Sequence, residues 1–236
     1  MTLHQINPNV SVDCAIFSFD QGALEVLLIE RHAGNSEIKD DLMALPGNLI
    51  YEDETLDEAA NRVLSELTGL TNIFLEQVYT FGNPNRISKQ KDLDWLRAIR
   101  ASPEARVITV AYTSLVKKEN LRIQPSSFAK KAVWVKVKDV PQLAFDHNEI
   151  LDKALDYLKH KIYLEPLGYE LLPDKFTLAQ LQKLYEAILE DSFDKRNFRR
   201  KILRTEFIVK LNEKQQGVAH KPAGLYRFDK SRFHKI

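Results

Sequence analysis

The 236-residue chain has a single cysteine, Cys14, so no internal disulfide is available to it. Cys14 sits in an apolar run and reads as a structural thiol, and the lack of paired cysteines points to a reducing, cytoplasmic setting. No apolar stretch approaches the roughly 20 residues that a membrane-spanning helix needs. The N-terminal residues also lack the basic and apolar regions of a signal peptide, so no membrane partner is expected. Internal repeats and low-complexity segments are missing as well. What remains, 44% hydrophobic and 28% charged residues, is the balance of a globular chain long enough for two compact domains.

A net charge of only +1 hides a polarity along the chain. Residues 194–236 hold 13 Lys or Arg against four Asp or Glu, a net +9, leaving 21 basic against 29 acidic groups, or −8, elsewhere. One end should seek polyanions and the other should repel them.

The hydrophobic pattern divides the chain in the same way. Two runs rich in β-branched and aromatic residues, 10–19 and 24–31, flank Asp20-Gln21-Gly22 and predict a β-hairpin. After Leu45-Pro46-Gly47 the reading gives a loop, then a helix over 55–67, where Leu56, Ala59, Ala60, Val63, Leu64 and Leu67 recur at helical spacing and Gly69 stops it. Strands follow at 73–81, 106–116 and 132–137, then a helix over 148–159 with Asp146 as its N-cap and His147 as a packing residue. The product is an α/β layer architecture with a mixed sheet. Residues 91–100 predict a short amphipathic helix, with either Leu93, Leu96 and Arg100 or Trp95 and Ile99 inward; surface ornament, lid over a ligand cleft and dimer contact are its three readings. The expected domains are 1–158 and 168–236, joined by a linker over 159–167, with Pro166-Leu167-Gly168 supplying breakers where the new pattern begins.

In the second domain, Thr177-Leu178-Ala179-Gln180 is a capping-box start, Asp194 caps a second helix, and two short helices about a tight turn make a helix-turn-helix. On the second helix Phe198 and Ile202 share one face, with Arg196, Arg199 and Arg200 roughly opposite. Arg forks bind guanine edges or phosphates bidentately, and the Asn197 amide can pair with adenine. The segments 206–211 and 223–228 then read as a hairpin, the wing of a winged helix. Lys195, Arg196, Asn197, Arg199, Arg200, Lys201, Lys214 and Lys221 are the expected contacts to double-stranded DNA; a solvated face of an interaction domain is the plain alternative. No aromatic motif of a single-strand RNA module is present.

The first domain concentrates acid in Glu52, Asp53, Glu54, Asp57 and Glu58, at a helix N-terminus that favours carboxylates whether or not a metal is bound. From Asn48 through Glu54, Arg62 and Glu66 to Gly69-Leu70, the frame resembles the Nudix box, G-x5-E-x7-R-E-U-x-E-E-x-G-U with U a bulky aliphatic residue. Val63 and Leu67 stand where two of its glutamates belong, and Asn48 where its glycine belongs. Two dispersed carboxylates hold magnesium weakly, so no catalytic residue, metal or cofactor is expected, and Asn48, Glu54, Arg62 and Glu66 are instead the candidate effector-binding residues of a sensor. Arg62 has an equal reading as an ion-pair partner of Glu54 or Glu58.

Together with Tyr79-Thr80-Phe81-Gly82-Asn83-Pro84-Asn85-Arg86, Val110-Ala111-Tyr112, Phe145-Asp146-His147, the run from Tyr169 to Thr177 and the run from Asp194 to Lys201, the chain resembles the Nudix-related transcriptional regulators, the family that includes NrtR and the arabinose-responsive AraR. The resemblance covers nearly the whole sequence. It implies a homodimeric repressor that grips palindromic operator DNA through two winged helices and releases it when an effector occupies the Nudix-like domain. The altered box turns the expectation toward L-arabinose as effector, with ADP-ribose as the alternative and a residual pyrophosphohydrolase as the enzyme rival.

Overall fold

The computed structural model describes residues 4–31, 43–118, 123–124, 127–164, 166–219 and 221–232. β1 (Ile6–Asp20) and β2 (Ala23–Arg31) form the predicted hairpin. Its two loop residues, Gln21 and Gly22, both hold positive φ, 47° and 82°, which matches the twist of the strands they join. There follow β3 (Met43–Ala44), β4 (Gly47–Tyr51), α1 (Leu56–Thr68), β5 (Glu76–Phe81), α2 (Gln90–Ile99), β6 (Ile108–Leu115), β7 (Ala129–Lys136) and α3 (His147–Leu164). The strands make one seven-stranded mixed sheet.

β1 organises it. Phe17–Asp20 pair antiparallel with β2, Ser11–Asp13 pair antiparallel with β4, and Val10–Phe17 run parallel to β6. Because side chains alternate across a strand, Val12, Cys14 and Ile16 enter a core with Ala59, Ala60, Val63, Leu64 and Leu67 of α1. Ala15 and Phe17 enter a second core with Ile150, Leu151, Ala154 and Leu158 of α3. Cys14 is the structural thiol expected: burial and the neighbouring Asp13 push its pKa far up, which suppresses the reactive thiolate.

β4 occupies the segment that reads as a loop and β3 a segment to which the sequence assigns no element, because both are short and form only where β1 and β2 offer them partners. Gly47 permits this: a Cβ there would stand 1.7 Å from Asp13 Oδ1 and 3.0 Å from the Val12 carbonyl oxygen. α1 carries a full capping box, with the Thr55 hydroxyl accepting from the Glu58 N–H at 3.3 Å and Glu58 Oε2 accepting from the Thr55 N–H at 2.8 Å. α3 extends past residue 159, where the linker is expected to begin, because Ile162 is buried in the core it shares with the C-terminal elements.

Those elements are α4 (Gly168–Leu171), α5 (Leu178–Leu189), α6 (Lys195–Ile202), β8 (Ile208–Lys214) and β9 (Gly224–Phe228). α4 is too short for a periodic signal. Phe176 forms an isolated antiparallel bridge to β9, exchanging backbone hydrogen bonds with Tyr226 at 2.9 and 2.8 Å. Leu171, Leu181, Leu184, Ile188, Phe198 and Ile202 belong to the same buried cluster as Phe17, Val26 and Ile150, so one continuous core runs from the sheet to the helix-turn-helix. Among the described residues no helix is long and apolar enough to cross a membrane.

Candidate nucleic-acid interface and ligand cavity

Local chemistry sets the basic helix. Thr177 and Gln180 form the expected capping box of α5, and Asp194 Oδ1 accepts from the Asn197 N–H at 2.9 Å to cap α6. Between the helices, Gln182 Nε2 donates to the Phe193 carbonyl at 2.8 Å and Glu186 Oε1 accepts from the Phe193 N–H at 3.0 Å. These clasps hold the turn and fix the angle of α6. That backbone N–H, with the Gln182 amide, keeps the Glu186 carboxyl below the usual carboxylate range.

Phe198 and Ile202 are the buried face of α6, while Lys195, Arg196, Asn197, Arg199, Arg200 and Lys201 are exposed, as are Lys214 and Lys221 on the wing and its loop. Arg196, Arg199 and Arg200 have no carboxylate partner among the described residues, and Arg200 donates to Asn197 Oδ1 at 2.9 Å. A row of guanidinium groups on a rigid helix, flanked by a basic hairpin, is suited to phosphates and base edges.

The acidic cluster of the first domain is divided among separate partners. Asp53 meets His4 Nδ1 at 2.8 Å, Asp57 Oδ1 accepts from the Tyr112 hydroxyl at 2.6 Å, and Glu58 is spent on the capping box. Burial, then this bond and the charge on Asp57, push the Tyr112 phenol up. Arg62 binds Glu54 at 2.8 and 2.6 Å, Glu66 at 3.2 Å and the Leu49 carbonyl at 3.1 Å, with its guanidinium 3.9 Å from the Tyr51 ring centroid. Partial burial pushes the Glu54 carboxyl up, but hydrogen bonds from Arg62 and the Tyr51 N–H outweigh it and hold it low. Burial likewise lowers Arg62, and Glu54 more than restores it, so its pKa lies above the ordinary guanidinium value. Glu54 and Glu66 thus answer one guanidinium, while Val63 and Leu67 are sealed in the core. Such a donor set does not fit a hexacoordinate magnesium ion, and among the described residues no group of three or more His, Cys, Asp or Glu is placed to hold a metal.

Of the four candidate effector residues Asn48 lines a cavity, while Glu54, Arg62 and Glu66 form an ion-pair cluster. The cavity lies between the sheet and α2. Its polar walls are Asp13, Asn48, Arg86, Arg100 and His147, and its aromatic walls are Trp95, Phe128 and Phe145. Trp95 meets Phe128 and Phe145 edge-on, with centroids 5.6 and 6.1 Å apart. Asp146 sits at the N-terminal edge of α3 as expected, but its carboxylate is taken by Arg86, which donates to it at 2.8 and 2.7 Å. Asp13 accepts from Thr109 at 2.6 Å and lies 3.3 Å from His147 Nε2. Leu45 N–H donates to His147 Nδ1 at 2.9 Å, which leaves Nε2 to carry the ring proton.

The inserted helix is no ornament. Asp92 and Leu96 are fully buried, Trp95 and Arg100 face the cavity, and Asp92 Oδ2 accepts from the Phe145 N–H at 2.9 Å. The water-sized space in this partly open cavity is about 30 Å³, room for only a water or two. The sequence holds clues to this site in Arg86 and in Phe145-Asp146-His147, but nothing local links them to Asp13, Trp95 or Arg100.

The NUDIX domain family matches residues 7–158, and the NrtR DNA-binding winged helix domain matches residues 168–228. The chain is 34% identical over 228 residues to the ADPR responsive transcriptional repressor NtrR of Acinetobacter baylyi, covering 94% of this chain and 82% of that protein. Its fold is similar to Shewanella oneidensis NrtR complexed with a 27mer DNA, with TM-score 0.69, 28% identity and 94% of each chain covered. It is also similar to the NUDIX domain of that protein complexed with ADP ribose, with TM-score 0.51, 27% identity, and 64% of this chain and 89% of that one covered.

Proposed function

Because the chain belongs to the NrtR family of regulators, built from a NUDIX domain and a winged helix, we propose that it is a transcriptional repressor whose operator affinity is set by ADP-ribose. The observation that carries the reading is the 34% identity over nearly the whole chain to an ADPR responsive repressor. The cavity agrees in chemistry: aromatic rings to stack a base, an amide and a guanidinium for polar groups. L-arabinose, the effector first expected from the altered box, has no such support, and the reading passes to its alternative.

In this account α6 and the β8–β9 wing bind DNA as one half of a homodimer on a palindromic site. Arg196, Asn197, Arg199 and Arg200 address the groove, and Lys195, Lys201, Lys214 and Lys221 the phosphates. Residues 1–158 sense the effector and 168–236 read DNA, in the cytoplasm. Hydrolysis is not part of the function, since Arg62 occupies the two remaining box carboxylates. Ligand releases DNA only if it favours a conformation that binds DNA less well, and coupling of about 1–3 kcal/mol changes DNA affinity roughly 5- to 150-fold. The cavity is too small for a nucleotide as it stands, so its walls must spread to admit one.

A thermal-shift comparison tests the effector assignment. ADP-ribose is expected to raise the melting temperature in a concentration-dependent manner and L-arabinose to leave it unchanged; the reverse pattern would restore the sugar reading.

A further inference from the structure

We propose that Arg100, delivered by the inserted helix α2, is the residue that reads the anionic group of the effector and so sets its specificity for a phosphorylated ligand. This rests on the effector reading above and names the part of the ligand that the cavity selects.

Three cationic or potentially cationic side chains line the cavity: Arg86, Arg100 and His147. Arg86 is committed. It is almost fully buried, donates twice to Asp146 at 2.8 and 2.7 Å and lies 3.8 Å from Asp13. His147 is committed as well, with Nδ1 accepting from the Leu45 N–H and Nε2 turned to Asp13 at 3.3 Å. Arg100 has no hydrogen-bonded or ion-paired side-chain partner among the described residues. Its charge is felt only at longer range, by Asp13 favourably and by Arg86 unfavourably. Burial strips it of water and, with Arg86, pushes its pKa down to about 10 despite Asp13. It remains charged at neutral pH, and its five N–H donors lie in a partly desolvated wall, an arrangement that an incoming anion relieves.

The backbone gives Arg100 this position. α2 ends there: the Arg100 N–H closes the last turn onto the Leu96 carbonyl at 2.8 Å, and its extended φ and ψ of −115° and 141° turn the chain out of the helix. Leu96, fully buried, anchors that turn. The same helix carries Trp95 against Phe128 and Phe145. Aromatic surface and an uncommitted guanidinium therefore arrive on one element, a pairing suited to a planar base linked to a phosphate and not to a small neutral sugar.

The test is calorimetric titration of the full-length protein and of its R100Q and R100K variants with ADP-ribose, with melting curves to establish that each variant is folded. R100Q is expected to weaken ADP-ribose about 10- to 100-fold, as removal of a charge-assisted hydrogen bond would, and R100K to recover about tenfold of that loss because a lysine still presents a point charge. Equal losses in R100Q and R100K would assign Arg100 a shape role and overturn the proposal, as would an R100Q variant that binds like wild type. Wild-type protein that ignores ADP-ribose would overturn the effector reading itself. The proposal on Arg100 would then be decided with sodium pyrophosphate: binding by wild type that R100Q loses supports it, and equal or absent binding overturns it.

Discussion

Phe145 holds φ +54°, and its N–H donates to the fully buried Asp92 of α2 at 2.9 Å. A bulky residue in the left-handed region costs about 1–3 kcal/mol and persists only where its surroundings enforce it. Here α2 and the residue before it supply the enforcement twice, through Asp92 and through Lys89 Nζ, which donates to the Phe145 carbonyl at 3.3 Å. The inserted helix therefore grips the residue that leads into α3. α3 in turn connects His147, on the cavity wall, to Ile162, which lines an apolar pocket together with Phe198 and Ile202 of the basic helix.

Asp92→Ala removes that grip and leaves the Phe145 N–H buried without its acceptor. A loss of about 1–3 kcal/mol is expected, read as a lower urea midpoint with an unchanged slope. An unaltered midpoint would show that the left-handed turn stands without α2.

Replacing Arg196, Arg199 and Arg200 together by Ala leaves the buried face of α6 intact and removes three exposed charges. Operator binding should disappear, and any residual DNA binding should show a salt slope shallower by about 0.9 for each phosphate that is no longer neutralised. Binding of ADP-ribose should persist. A folded triple variant that retained operator affinity would exclude α6 as the reading helix.

The Glu54–Arg62 pair predicts part of the acid sensitivity. The Glu54 carboxyl is held below its ordinary value of 4.5 in the folded chain. Its stabilising contribution is therefore complete above that pH and is lost as the pH falls through the lower, folded value. A Glu54→Gln variant should show a flatter fall in stability below pH 4.5 than wild type; parallel curves would mean that the pair contributes nothing.

Cys14, buried between the sheet and α1 and held as a thiol, should resist aromatic disulfide reagents in native protein and react fully in denaturant. Rapid labelling under native conditions would contradict the packing of α1 on β1.

The sequence made the capped helices legible because their signals are local. Thr55 with Glu58, Thr177 with Gln180, Asp194 before Phe198, and Gly69 after Leu67 each act within a few residues. The apolar stripe and arginine row of α6 follow from the same periodicity. β3 and β4 were hidden because their pairing depends on β1 and on the space that Gly47 leaves for Asp13. The cavity was hidden for a related reason. It joins Asp13, Arg86, Arg100 and His147 across four separate elements and connections, and one of its tightest contacts depends on Asp92, a buried carboxylate that no hydrophobic pattern places inside. Of the four box residues, Asn48 borders this cavity. The pairing of Arg62 with Glu54 was one of the two readings of that arginine; that Arg62 also draws in Glu66, one helical turn on, was not.

The most direct test of the account is a fluorescence-anisotropy titration of the protein against the DNA upstream of its own gene and a scrambled duplex at one fixed salt concentration, repeated with ADP-ribose and with L-arabinose. The account predicts tight binding to the upstream duplex only, weakened by ADP-ribose and unmoved by L-arabinose. Specific binding that ADP-ribose leaves untouched would contradict it.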